Sequence, residues 1–172
     1  LHEISHAELI HPDDIPRFAE LNVAAEMGPI LWHPVPGLTW DVWLGPDRQP
    51  WPIKDLVEAG ALVTYGSDWS VVPTPNPWPG IEAMVTRADP TGNLPGTLWP
   101  EQAIDLATTI RIFTINSAVA NRAGDTSGSL EVGKDADFIV LDRNIFDVPI
   151  TDVGDTGVLM SVIDGDPVID EL

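Results

Sequence analysis

The stretch AGALVTYGSDWS, residues 59–70, decides the fold. Its centre, ALVTYG, is short, apolar and β-branched between two glycines, which reads as a buried strand. The run breaks at Gly66-Ser67 and presents Asp68 beside Trp69. A carboxylate at the end of a buried strand is costly unless it has a partner or a task. Upstream, WPIKDLVEAG (51–60) reads as a helix closed by Gly60, where a left-handed residue ends helices. Further back, VAAEM (23–27) reads as a second strand and LHEISHAEL (1–9) as a first, with His6 near its end. Between them, HPDDIPRFAELNV predicts a helix capped by Asp13 or Asp14. Pro16 falls in its tolerant first turn, and Ile15, Phe18, Ala19 and Leu21 supply the apolar side.

Strand, helix, strand, helix, strand at this spacing is the pattern of parallel βαβ units, so the fold class is α/β. His6 and Asp68 stand 62 positions apart, which suits two such units. Both then fall at carboxyl ends of parallel strands, the edge where α/β sheets and barrels place their chemistry. Gly28 to Pro52, rich in Pro and Trp, is far longer than an ordinary connection, and such loops usually carry function or disorder.

Beyond Asp68, the sequence predicts a helix at IEAMVTRA, a loop from Asp89 to Trp99, and helices at PEQAIDLATT and around IFTINSAVANR. Pro100 suits a first turn, and Gln102 suits a capping role. From Gly124 the character changes to short alternating strands punctuated by Gly, Asp and Pro, with DGDP (164–167) as a tight turn. Residues 123–172 hold 12 acids and 2 bases, a net of −10, and form a second compositional unit after residues 1–122.

The whole chain of 172 residues carries 27 Asp and Glu against 8 Lys and Arg, a net charge of −19. Such a surface repels phosphate backbones and anionic lipid, which argues against nucleic acid and membrane as partners. No apolar stretch reaches the roughly 18 residues that span a bilayer, and the expectation is a soluble, cytoplasmic chain. Cysteine is absent, so any metal must be held by His, Asp and Glu. The first residue is Leu1, and a fragment or processed product is expected.

Several blocks occur in a telling order: ISHAEL, HPDDIPRFAELNV, GSDWSV, NPWPGIEAMVTR, TINSA and GSLEVGKDADFIVLDRN. Together they resemble the carboxyl-terminal part of the amidohydrolase superfamily, in the branch of N-substituted formamide deformylases and other metal-dependent hydrolases. The resemblance covers nearly the whole chain. It implies a partial (β/α)8 TIM-type barrel over residues 1–122, namely strands 6–8 with their helices. Residues 123–172 would supply short strands of a composite β-sandwich.

In that family the metal site takes an H-x-H pair after the first strand, a bridging residue after the fourth and histidines after the fifth and sixth. An Asp follows the eighth. By motif, His6 matches the sixth-strand ligand and Asp68 the eighth-strand ligand and catalytic proton carrier. The chain has no H-x-H, and His2, His11 and His33 match none of the remaining ligand motifs. The resemblance therefore implies a divalent metal, zinc, with only part of its site in this chain. It also implies a small-molecule amide substrate and hydrolysis of non-peptide C–N bonds.

The partner expected is another copy of the chain or a missing amino-terminal half, because half a barrel leaves open strand edges and an uncovered apolar interior. Taken alone, without the resemblance, His6 reads first as an ordinary strand-end histidine and Asp68 can simply cap the turn after its strand. Trp32, His33, Trp69, Asn76 and Trp78 are candidates to line a substrate pocket. Trp32 and Trp69, with Trp40 and Trp43, serve equally as core or interface filler, Asn76 and Trp78 equally as parts of a structural turn, and His33 reads first as a loop residue. Glu3, Glu8 and Glu26 are expected to face solvent or to make hydrogen bonds.

Overall fold

The computed structural model describes residues 1–28, 50–72 and 74–170. Three parallel strands form the first sheet: β1 (His2–Ile4), β2 (Val23–Met27) and β3 (Leu62–Tyr65), in that order. His2 pairs with Val23, and Ala24 with Leu62, so the strands run side by side with their carboxyl ends at one edge. Helix α1 (Ile15–Glu20) links the first two strands, and α2 (Ile53–Glu58) precedes the third.

Side chains alternate across a strand, and that alternation sorts the sheet into two faces. Ala25, Met27 and Val63 lie in a core with Phe18 of α1, Leu56 of α2 and Ile112. The other face carries Glu3, Glu26 and Thr64, and the Thr64 hydroxyl donates to the Glu3 carboxylate at 3.2 Å. One face is therefore apolar and helix-covered, while the other is acidic.

Local signals explain most boundaries. Gly60 ends α2 with φ of 78°, as the sequence predicts for a left-handed stop. At α1 the cap differs from expectation: neither Asp13 nor Asp14 caps with its side chain. His11 opens a 3-10 turn over Pro12–Asp14, its Nδ1 accepting from the Asp13 amide, and Asp14 instead pairs with Arg17. Ile15 and Phe18 of the expected apolar side are buried, whereas Ala19 and Leu21 are exposed, because α1 meets the sheet along only one narrow strip.

Helix α3 spans Trp78–Thr86, beginning three residues before the predicted IEAMVTRA run. Asn76 accepts from the Trp78 amide and so satisfies one of the free donors at that end. PEQAIDLATT does not form one helix. Pro100–Gln102 is a 3-10 turn, Ala103 is extended, and α4 (Leu106–Arg111) starts where the Asp105 carboxylate accepts from the Thr108 amide. Gln102 does cap a helix, though not its own: it accepts from the Asp55 amide at the start of α2.

Helix α4 continues through a π-helical stretch, Ile112–Asn116, into α5 (Ser117–Ala120). The wider winding matters for β3. Gly66 donates to Met27 across the sheet, so Tyr65 and Val63, alternating with it, turn their backbone groups to the free edge. There Asn116 donates to the Val63 carbonyl at 3.0 Å, and the Ser117 hydroxyl accepts the Tyr65 amide at 3.4 Å. The TINSA block thus occupies an edge that would otherwise be left unpaired.

The second sheet is antiparallel: β4 (Phe138–Leu141), β5 (Val158–Ile163) and β6 (Asp166–Asp170). The DGDP turn joins β5 to β6 with Asp164 and Gly165 both at positive φ, the hairpin turn whose twist matches its strands. A second core joins this part to α3: Trp78 and Ile81 pack with Ile145 and Val153.

Glu82 of α3 is buried against the 3-10 turn Ile150–Asp155. Burial, then the charges of Asp155 and Asp152, hold its carboxyl above the usual range. The folded chain therefore binds that proton more tightly than the unfolded chain does. Its stabilising effect is complete below the unfolded value of 4.5 and is lost as pH rises through the raised folded value. Glu82→Gln is expected to raise Tm by about 2 °C at neutral pH and to leave it unchanged at pH 4, measured by thermal melts across that range.

Candidate functional site

Strands β1 and β3 end in the same way. His6, two residues beyond β1, has φ of 52°, and Asp68, three beyond β3, has φ of 53°. Left-handed backbone is uncommon outside glycine, and Asp and His are among the residues that tolerate it. The turn carrying His6 is tied down by the Ala7 amide on the Glu26 carbonyl and by the Trp51 amide on the Glu8 carbonyl. The turn carrying Asp68 is closed by its own carbonyl, which accepts from Val71 and Val72. Its carboxylate is therefore not spent as a turn cap.

These two turns bring His6 and Asp68 together. The imidazole Nε2 lies 3.8 Å from Asp68 Oδ2, with the side chains 42% and 30% exposed. On the other side of the ring, Nδ1 lies 3.1 Å from Glu8 Oε1. Glu8, expected to face solvent or to hydrogen-bond, does bond, and its partner is His6; the visible signal is its place two residues after His6 at a strand end.

Burial raises the Glu8 carboxyl above the usual range, against the pull of His6, and the charge of Glu26 adds to the rise. Glu26 reaches over the end of β3, its Oε1 occupying the place where a Cβ on Gly66 would stand. Any side chain at position 66 therefore forces Glu26 aside. Burial and Glu26 also push the Tyr65 hydroxyl up to about 12. The carboxyl edge of the sheet thus concentrates negative charge around one imidazole. A cavity of about 450 Å³ opens beside it, lined by Ile4, His6, Glu8, Leu9, Phe18 and Leu21 among others.

Of the pocket candidates, Trp69 follows Asp68 directly and is 64% exposed. Asn76 is an exposed turn residue whose side chain caps α3. Trp78 is 8% exposed and packs in the second core with Ile145 and Val153. Trp32, His33, Trp40 and Trp43 lie outside the described residues.

The pair meets one requirement of a divalent metal. Two ligand atoms about 2.0–2.2 Å from a tetrahedral zinc stand roughly 3.4 Å apart. The 3.8 Å between Nε2 and Oδ2 is close to that and too long for a hydrogen bond. One nitrogen and one carboxylate oxygen suit zinc, so His6 and Asp68 fit as two ligands of a larger set. Among the described residues no group of three His, Cys, Asp or Glu is placed to hold a metal ion. No helix among them is long and apolar enough to cross a membrane.

The amidohydrolase family model matches residues 1–169. The N-substituted formamide deformylase of Arthrobacter pascens is 26% identical, over 94% of this chain and 30% of its own length. Protein LONG AFTER FAR-RED 3 of Arabidopsis thaliana is 30% identical, over 94% of this chain and 27% of its own. The chain thus spans less than a third of these relatives.

Among solved structures, an adenosine deaminase from Xanthomonas campestris with bound zinc superposes with a TM-score of 0.71 at 21% identity. It covers 98% of this chain and 37% of that one. Atrazine chlorohydrolase TrzN from Arthrobacter aurescens, complexed with zinc, gives 0.67 at 22% identity, covering 98% and 36%. These likenesses establish a shared α/β fold. With the family model matched from residue 1 to residue 169, the chain belongs to the amidohydrolase family.

Proposed function

We propose that this chain supplies the last three strands of a (β/α)8 barrel and two ligands, His6 and Asp68, of a zinc-dependent hydrolase of non-peptide C–N bonds. Amides of the formamide type are the substrate class. The observation that carries this reading is the convergence of His6 Nε2 and Asp68 Oδ2, 3.8 Å apart, from the ends of parallel strands. The family membership and the formamide deformylase relative support the reaction class.

A bound zinc ion would polarise water and lower its pKa toward neutrality. His6 binds through a neutral imidazole nitrogen. Asp68 both binds and works as a base: its carboxylate takes the proton of the attacking water and returns it to the departing amine. The exposed Trp69 stands next to that carboxylate, where an indole offers a flat apolar wall to the substrate. The strands β4 to β6 belong, in this reading, to a small β-sandwich completed by other parts of a longer chain.

A second reading is that the chain on its own is non-catalytic and associates with another copy or with an amino-terminal half. Exposed Ile4, Leu9 and Leu21 around the β1 edge favour it, as do Ile139, Ile163 and Ile169 on the second sheet. One preparation separates the two readings. Metal analysis of chelator-free protein and a formamide and amide hydrolysis screen should show bound zinc and metal-dependent turnover if the chain is competent alone. Catalytic zinc sites take about three protein ligands, so the expected result is weak zinc binding, with turnover only after a complementing half is added. Light scattering of that preparation should show a species larger than a monomer; a stable monomer at low micromolar concentration counts against association.

A further inference from the structure

We propose that Glu8 is a positioning residue that fixes which nitrogen of His6 is free to bind a cation. This inference rests on the reading of His6 as a metal ligand. The His6 ring stands between two carboxylates on opposite sides: Nδ1 is 3.1 Å from Glu8 Oε1, and Nε2 is 3.8 Å from Asp68 Oδ2. Only the first is a hydrogen-bond distance. In a neutral imidazole one nitrogen carries the proton and the other a lone pair. With Glu8 accepting from Nδ1–H, the lone pair must stand on Nε2.

That arrangement has a consequence at Asp68. Nε2 and Oδ2 then face each other as two bare acceptors, which repel unless a cation stands between them. Glu8 thus turns the His6–Asp68 pair from a weak contact into a place that demands positive charge. A carboxylate on the far nitrogen also makes the near one a stronger donor to metal, as it does in metal sites generally.

The backbone prepares the contact. The Glu8 amide donates to the His6 carbonyl at 2.7 Å, closing a three-residue turn, and the Glu8 carbonyl accepts from Trp51 at 2.7 Å. Held at both main-chain groups, Glu8 keeps its side chain over the ring two residues back.

The test is the tautomer of His6 in the metal-free chain, read by long-range proton–nitrogen NMR of the ring above about pH 8, where imidazoles are neutral. The expected signature is a protonated Nδ1 and a bare Nε2, the reverse of the form free histidine prefers in water. His11 serves as an internal contrast, since its Nδ1 accepts from the Asp13 amide at 3.3 Å and its proton belongs on Nε2. His6→Gln assigns the signals.

Glu8→Ala should revert His6 to the Nε2–H form and weaken zinc binding by about 10- to 100-fold, the usual effect of losing such a partner. Glu8→Gln keeps an acceptor oxygen and should keep the Nδ1–H tautomer. A wild-type chain whose His6 carries its proton on Nε2 overturns the proposal, whatever zinc does and whether or not the Ala variant folds. A Glu8-dependent Nδ1–H tautomer with no zinc binding even when the complementing half is present supports the positioning role and sinks the metal reading instead.

Discussion

Asp68→Asn is expected to lower kcat for metal-dependent amide hydrolysis by about 10³-fold, with little change in fold. The measurement is made on the chain itself or, where turnover needs it, on the chain with its complementing half. An amide oxygen can still approach a cation, but it cannot take a proton at neutral pH, and general-base catalysis alone is worth about 10²–10⁴-fold. Loss of the negative charge adds to the deficit, because Asp68 faces the His6 nitrogen at 3.8 Å. The backbone should tolerate the change, since the turn is closed by the Asp68 carbonyl rather than by its carboxylate. An unchanged Tm with collapsed kcat at saturating zinc is the expected pair of results. A loss of less than tenfold would remove Asp68 from the proton-carrying role.

How far the sequence could reach this site depends on which interactions are local. Strands β2 and β3 were legible because each is a short apolar run between glycine or polar breaks, and VAAEM gives the observed bounds of β2, whereas β1 is only His2–Ile4, exposed and shorter than the LHEISHAEL run suggests. The convergence of His6 and Asp68 was legible from topology: residues at the ends of parallel strands share an edge. What spacing could not show is which neighbour a side chain selects. Gln102 caps α2, 47 residues away, rather than the turn it sits in, and Asn116 and Ser117 reach back to β3. Such contacts depend on tertiary placement and leave no period in the sequence. Trp78 shows the same limit: the sequence offered it as a pocket or a turn residue, and its packing in the second core follows from the early start of α3.

Arg87→Ala is expected to destabilise the chain by about 3–5 kcal/mol, a range reached only when buried groups lose their partners or a core cavity opens. Arg87 is 0% exposed, and its Nε donates to the Leu98 carbonyl at 2.9 Å and a terminal nitrogen to the Trp51 carbonyl at 3.4 Å. Burial holds the guanidinium down at about 10, still protonated at neutral pH. Alanine would leave both carbonyls without these donors and would empty the space of a long side chain. For a chain of this size the fall in Tm should be about 10 °C or more.

Arg87→Met separates the two causes, because it refills the volume without restoring a donor. If Met recovers the wild-type Tm, packing rather than hydrogen bonding is what Arg87 contributes. The damage should also reach the candidate site, along a short chain of contacts. Arg87 holds the Trp51 carbonyl, the Trp51 amide holds the Glu8 carbonyl, and Glu8 holds the His6 ring. In Arg87→Met, folded but lacking the first link, the His6 ring resonances should broaden or shift while those of the exposed His11 stay in place. Unchanged His6 resonances would mean that the turn bearing His6 is held by the sheet alone.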